Sequence, residues 1–237
     1  MGLQLSKGIS WTQATLNPIV GCTKCSPGCQ HCWAVSQAHI HYRKHFTTPG
    51  GKDWNGKIEF FKDRLDFLRR WRTPTMIAVG LMTDLFHPSI PDDWLDVIFR
   101  YMLTYRQHTY QILTKRHERL LQYTTGKARS DWFQNARHIW WGVTVENQPM
   151  LDLRGSALIA APVAVRFISV EPMLGDINIE NYVANQDAEQ DTSAHAIWRG
   201  EQPGLDWVIC GGEAVHRIGR ELAGRLLEEN EYLEFPR

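Results

Sequence analysis

From residue 33 onward the chain alternates short, compact apolar runs with longer stretches whose apolar residues recur at helical spacing. "AVSQAHIHYRKHF" (34–46) predicts a helix, and so does "FFKDRLDFLRRWR" (60–72), which Thr73-Pro74 stops. "TMIAVGL" (75–81) is an apolar run of strand length. "PDDWLDVIFRYMLTY" follows, with Pro91 suited to a first helical turn and Asp92 and Asp93 at the positive end of the helix dipole. Strand "TYQILT" (109–114), helix "KRHERLLQYTTG" (115–126) and strand "IWWGVTV" (139–145) come next. Helix "QPMLDLRGSALIAA" (148–161), strand "VAVRFISV" (163–170) and strand "LDWVICGG" (205–212) complete the series. Between the last two lies a polar stretch, "NQDAEQDTSAHAIWRGEQPG" (185–204), read as a loop.

Strands alternating with helices predict an α/β fold with a parallel sheet and right-handed crossovers. About six strand–helix units leave two architectures, an open doubly wound sheet or a partial or complete barrel. Both gather ligands at the carboxyl ends of the strands. The residues just past those ends are polar: Asp84 and His87, then Lys115 and Arg116, then Glu146 and Asn147, then Glu171, and finally Gly211, Gly212 and Glu213. Any one is explained by a helix cap or a solvated charge, but together they predict the lining of one pocket.

The chain is 237 residues long, enough for one large domain, and it reads as one unit over 1–237 with a tail over 214–237. It carries 26 Lys+Arg against 26 Asp+Glu, so a fold that grips nucleic acid by overall charge is disfavoured while a local basic patch is not. The first residues lack the apolar core of a signal peptide, and no apolar run is long enough to span a bilayer. The expected location is therefore the cytoplasm, without membrane attachment. Ten tryptophans allow two readings, core and rim packing or stacking on a base or an adenine, with Trp71, Trp140, Trp141 and Trp207 the residues to watch.

Four of the five cysteines fall in "GCTKCSPGCQHCWA" (21–34), spaced Cys22-x2-Cys25-x3-Cys29-x2-Cys32. In a reducing compartment such a cluster points to metal rather than disulfide. Four thiolates suit structural zinc, although zinc knuckles normally stand a dozen or more residues apart. Short spacings also suit an iron–sulfur cluster, which leaves one iron open when three cysteines bind. The triplet Cys25-x3-Cys29-x2-Cys32 has the spacing of the radical S-adenosylmethionine enzymes.

Six motifs carry a closer resemblance. In order they are "ISWTQATLNPIVGCTKCSPGCQHCWA", "LMTDLFHPSIPDDWLDVIF", "QILTKRHERL", "WWGVTVENQ", "VRFISVEPMLGDI" and "LDWVICGGE", with a tail "HRIGRELAGRLLEENEYLEFP". They resemble a phage- and prophage-associated family of unknown function that is grouped with radical S-adenosylmethionine proteins and is similar to spore photoproduct lyase. The resemblance implies a partial TIM-like barrel of about six strands. It also implies a 4Fe–4S cluster that binds S-adenosylmethionine, reductive cleavage of that cofactor to a 5′-deoxyadenosyl radical, and an electron donor as partner. It aligns the family's three cysteines with Cys22, Cys29 and Cys32, so Cys22 and Cys25 compete as first ligand. Gly211, Gly212 and Glu213 resemble a glycine-rich cofactor-binding motif, and Glu146 and Asn147 stand where a ribose is usually held. Asp84, His87, Lys115 and Glu171 are left for substrate binding or proton transfer. The resemblance also implies a further closing element after "GGE", which is expected to be missing here. A nucleic acid or nucleotide is the leading substrate class, supported by the basic residues Lys115, Arg116 and Arg166, with a small molecule second. The contrasting reading is a non-catalytic module held together by zinc or an iron–sulfur cluster. Cys210, on the last apolar strand, is expected to be a buried small hydrophobe and dispensable for iron.

Overall fold

The computed structural model describes residues 4–5 (as backbone), 9–126, 131–182 and 204–211. Nine strands are present in it: β1 (Gln4–Leu5), β2 (Ala14–Leu16), β3 (Ile19–Val20), β4 (Glu59–Phe60), β5 (Met76–Val79), β6 (Thr109–Thr114), β7 (Ile139–Thr144), β8 (Val165–Val170) and β9 (Trp207–Cys210). The principal helices are α1 (Trp33–Tyr42), α2 (Asp66–Arg70), α3 (Asp92–Thr104), α4 (His117–Thr125) and α5 (Gln148–Ala160). Strands β2, β5, β6, β7, β8 and β9 pair in that order, all parallel, and β1 adds an antiparallel edge to β2. The six-stranded parallel sheet is flanked by helices.

Strand order follows chain order without a reversal, which removes the doubly wound alternative, since that arrangement needs a switch point. The sheet is not a closed barrel: β9 pairs with β8 alone among the described strands, and β2 is bordered by β1. Strand β8 is buried at all six positions and β7 at five of its six, as expected of parallel strands covered on both faces.

The sequence pattern locates α3 to α5 and β5 to β9 well because each is long enough to show its period. "FFKDRLDFLRRWR" is not one helix. Phe60 belongs to β4, Lys62–Leu65 form a tight 3₁₀ turn, and only Asp66–Arg70 are α-helical. The polar stretch 185–204 falls outside the described residues except for Gly204.

The main core is aromatic. Phe99 of α3 stacks on Trp141 of β7 at 5.0 Å between ring centroids, and Phe133 meets Trp141 edge-on at 4.7 Å. Trp141 is therefore a packing residue, and Trp140 and Trp207 meet each other edge-on at 5.5 Å. Trp71 donates its indole N–H to Thr75 Oγ1 at 2.8 Å. A separate small core of Val20, Ala34, Val35, Ala38, Phe46, Trp54 and Met82 sits under α1 and carries the cysteine segment. No helix among the described residues is long and apolar enough to cross a membrane.

His108 and His138 lie far from the cysteines in sequence, and their ring Nε2 atoms reach the carbonyls of Trp71 (3.0 Å) and Met102 (3.2 Å). Burial lowers both pKa values from the ordinary 6.5. The folded pKa is thus below the unfolded one, so these rings favour the fold fully above pH 6.5 and progressively less as pH falls below it. Urea midpoints should drop between pH 7.5 and 5.5, and less so in a His108→Gln, His138→Gln variant. An unchanged drop in the variant would contradict this assignment.

Candidate functional site

Chain geometry brings the cysteines to the sheet by an indirect route. After β2 the segment Asn17-Pro18 leaves the sheet, and β3 pairs antiparallel with β4 in a small separate ribbon. Asn17 Oδ1 accepts the Met82 N–H at 3.0 Å, which pins this exit to the loop after β5. Gly21 has φ +106° and packs against the Lys57 carbonyl where a Cβ would collide. Its N–H donates to Met82 O at 3.0 Å and its carbonyl accepts from Thr83 Oγ1 at 2.6 Å. The cysteine loop therefore begins from a fixed point. It turns at Pro27–Cys29 and ends at Cys32, the N-cap of α1.

Two polar ties fasten this loop to the carboxyl ends of three consecutive parallel strands. The first runs through Thr23. Ser89 N–H donates to His87 Nδ1 at 3.1 Å, so the His87 proton belongs on Nε2, which donates to Thr23 Oγ1 at 2.8 Å. Arg116 Nη2 donates to the same hydroxyl at 3.1 Å and to Thr23 O at 3.0 Å. Burial, with Arg116 adding, lowers the His87 pKa, and Asp84 opposes the shift. The second tie is Ser26, whose hydroxyl donates to Glu146 Oε1 at 2.6 Å.

Glu146 is 1% exposed, and its Oε2 accepts from Arg154 Nη1 at 2.9 Å. Arg154 also donates to Thr144 O at 2.6 Å, and Lys115 Nζ stands 3.9 Å from Glu146 Oε1. Asp84 Oδ1 accepts from Thr114 Oγ1 (2.6 Å) and Phe86 N–H (3.0 Å), and Oδ2 accepts from Lys115 N–H (3.0 Å). Arg116 Nε lies 3.9 Å from Asp84 Oδ2 and has no hydrogen-bond partner.

Asp84, His87, Lys115, Arg116 and Glu146 thus meet at the cysteine loop, and several of them are structural ties. Asp84 bridges the ends of β5 and β6, and Glu146 joins β7, α5 and the cysteine loop. Asn147 caps α5, its Oδ1 accepting from Met150 N–H at 3.1 Å. Glu171 lies one strand further along, accepting from Ser169 Oγ at 3.0 Å, and Gly211 packs against its carboxylate. Gly212 and Glu213 lie outside the described residues.

Two expectations are corrected. Arg166 stands at the opposite, amino end of β8, where its guanidinium donates to Leu158 O (3.2 Å) and Ala161 O (2.7 Å), so it does not join the site. Cys210 is exposed, not buried, since it ends a strand with a single neighbour among the described strands.

Sequence reasoning missed Thr23, Ser26 and Arg154. Arg154 left a signal: it occupies the apolar stripe of α5 between Leu151 and Leu158, a place where an unpaired charge would be costly.

The thiols differ. Cys29 is lowered to about 5, chiefly by a hydrogen bond from the Cys25 thiol, with Ser26 and Lys115 also contributing. Cys25 is raised in return, and burial together with Asp84 pushes Cys22 up to about 11. A thiolate at neutral pH is the form that binds metal. In donor type and place the loop fits a thiolate-held metal centre. Among the described residues, however, no three Cys, His, Asp or Glu side chains already converge as a metal site.

Gly28 touches Glu146 closely enough that a Cβ would stand 2.5 Å from Oε1. Gly28→Ala should therefore push the loop off Glu146 and cost about 1–3 kcal/mol. Chemical denaturation against the parent chain checks this, and a loss below about 0.5 kcal/mol would contradict the contact.

The model of a family described as "Protein of unknown function (DUF5131)" matches residues 6–236. No curated protein and no solved structure matches the chain.

Proposed function

We propose, from the premise that the chain belongs to the DUF5131 family of unknown function, that its cysteine loop holds an iron–sulfur cluster used with S-adenosylmethionine, and that the substrate is a nucleic acid or nucleotide. The observation that carries this reading is the anchorage of a four-cysteine loop, through Thr23 and Ser26, to the carboxyl ends of β5, β6 and β7. Ligand chemistry in parallel α/β folds gathers at that end of the sheet. The partial-barrel curvature implied by the sequence resemblance belongs to the same proposal.

Cys29 and Cys32 would be ligands, with Cys22 as the third in preference to Cys25, since Cys22 is half-buried and Cys25 is exposed. When bound, such a centre supplies an electron for reductive cleavage of the cofactor's sulfonium bond. The chain's own residues do the rest. Glu146 and Ser26 set the position of the loop, and His87 and Arg116 hold its first turn. Lys115 and Arg116 place positive charge beside the thiolates and offset the charge of a thiolate-rich centre. Glu171, with Gly211 against it, is the strand-end carboxylate left nearest to a ligand entering over β8 and β9.

Protein purified without oxygen should be brown, with broad absorbance at about 400 nm and about four iron per chain. A colourless chain containing one zinc would instead support the alternative, a metal-stabilised module.

A further inference from the structure

The zero net charge hides a strong asymmetry. Residues 1–52 contain five Lys/Arg and four His but no Asp or Glu, a formal charge of +5. The remaining chain has 21 Lys/Arg against 26 acids, a formal charge of −5. The positive part includes the cysteine loop and α1, and its charge is densest where α1 ends.

There a shallow open groove is lined by His39, Ile40, Tyr42, Arg43, Lys44 and His45. Lys24 is paired with Asp53, and Lys57 and His45 with Glu59, but no carboxylate among the described residues pairs with Arg43 or Lys44. Arg43 has φ 51° and ψ −136°, backbone angles that glycine adopts freely and an arginine does not. Thr47 braces this turn by donating to Arg43 O at 2.9 Å. A costly conformation is thus held in place, and it presents to solvent two cations that have no carboxylate partner among the described residues.

The exposed face of α1 connects this turn to the cysteines. Trp33, next to Cys32, is 51% exposed, and Ile40, seven residues on and so on the same face, is 65% exposed. The helix spans about 15 Å. An exposed indole at one end and exposed cations at the other match a polymer that carries flat rings and regularly spaced negative charges.

We propose that the α1 face from Trp33 to Arg43 and Lys44 binds single-stranded nucleic acid, a base stacking on Trp33 and backbone phosphates meeting the cationic turn. This deepens the reading above and rests on it for the link to chemistry. A single strand fits better than a duplex because its bases are free to stack. A membrane surface fits less well, because Ile40 is the one exposed large apolar residue near the turn.

The test is fluorescence anisotropy of a labelled oligothymidylate with the full chain at several salt concentrations. Binding should weaken steeply with salt. Arg43→Gly combined with Lys44→Ala should lower affinity about tenfold and reduce the log–log salt slope by about 1.4, or 0.7 per phosphate lost. The glycine suits the turn's backbone angles, so the melting temperature should hold or rise and the loss cannot be laid to misfolding. Trp33→Ala should weaken binding about tenfold with the slope unchanged. Salt-independent binding, or binding indifferent to both variants, would overturn the proposal. So would capture of phosphatidylserine vesicles in place of the oligonucleotide through the same residues. Iron is measured on the same samples. An iron-free chain that still binds through these residues leaves this inference standing while the cluster reading falls, and an iron-loaded chain that ignores the oligonucleotide does the reverse.

Discussion

Arg154→Met should destabilise the chain by about 3–5 kcal/mol, the largest loss expected of any single change near the site. Both members of the pair are almost wholly buried, Glu146 at 1% and Arg154 at 3% exposure. Removing the guanidinium leaves a carboxylate in the interior with only the Ser26 hydroxyl at 2.6 Å and the more distant Lys115 ammonium at 3.9 Å. It also strands the Thr144 carbonyl, which accepts from Arg154 at 2.6 Å. The cost therefore comes from the unpaired partner and not from the worth of the pair itself. Glu146→Gln in the Arg154→Met background should recover a large part of it, since a neutral amide still accepts from Ser26. Urea denaturation of the two variants decides the matter: a single-variant loss under about 1 kcal/mol, or no recovery in the double variant, would mean that water reaches the pair.

Cys29→Ala and Cys32→Ala should each abolish iron binding, because a cluster held by three thiolates has no ligand to spare. Cys29 is the thiol whose environment most favours the metal-binding form, through Cys25, Ser26 and Lys115. Cys22→Ala should lose more iron than Cys25→Ala, and equal tolerance of both would mean that either serves as the third ligand. Cys210→Ala should keep its iron, since Cys210 lies at the end of β9 beside Glu171, away from the loop. Iron and sulfide assays on the five variants give the answer, and full retention after loss of Cys29 would remove the assignment.

The parts of the fold that were legible are those with repeated periods. In α3, the apolar positions Leu95, Ile98, Phe99 and Met102 recur at helical spacing, and all four are buried. Strand β6 runs over the same residues, Thr109–Thr114, that its β-branched and aromatic content marks out. The entry to the site was not legible, because β2 has three residues and β3 and β4 two each, too short to show alternation. The convergence of strand ends followed from parallel pairing alone. What each side chain does there did not follow, because an Asp after a strand looks the same in sequence whether it meets a ligand or, like Asp84, accepts from Thr114, Phe86 and Lys115. Arg166 misled for a related reason. Its place within "VRFISV" puts it at the start of β8, and direction along the strand decides which end of the sheet it serves.

The most direct test of the central claim is turnover of the cofactor. The chain is reconstituted with iron and sulfide without oxygen, reduced with dithionite and incubated with S-adenosylmethionine, and 5′-deoxyadenosine is measured by chromatography. The parent chain should release 5′-deoxyadenosine and methionine in equal amounts, and Cys29→Ala none. An iron-loaded parent chain that releases no 5′-deoxyadenosine above the Cys29→Ala background would contradict it.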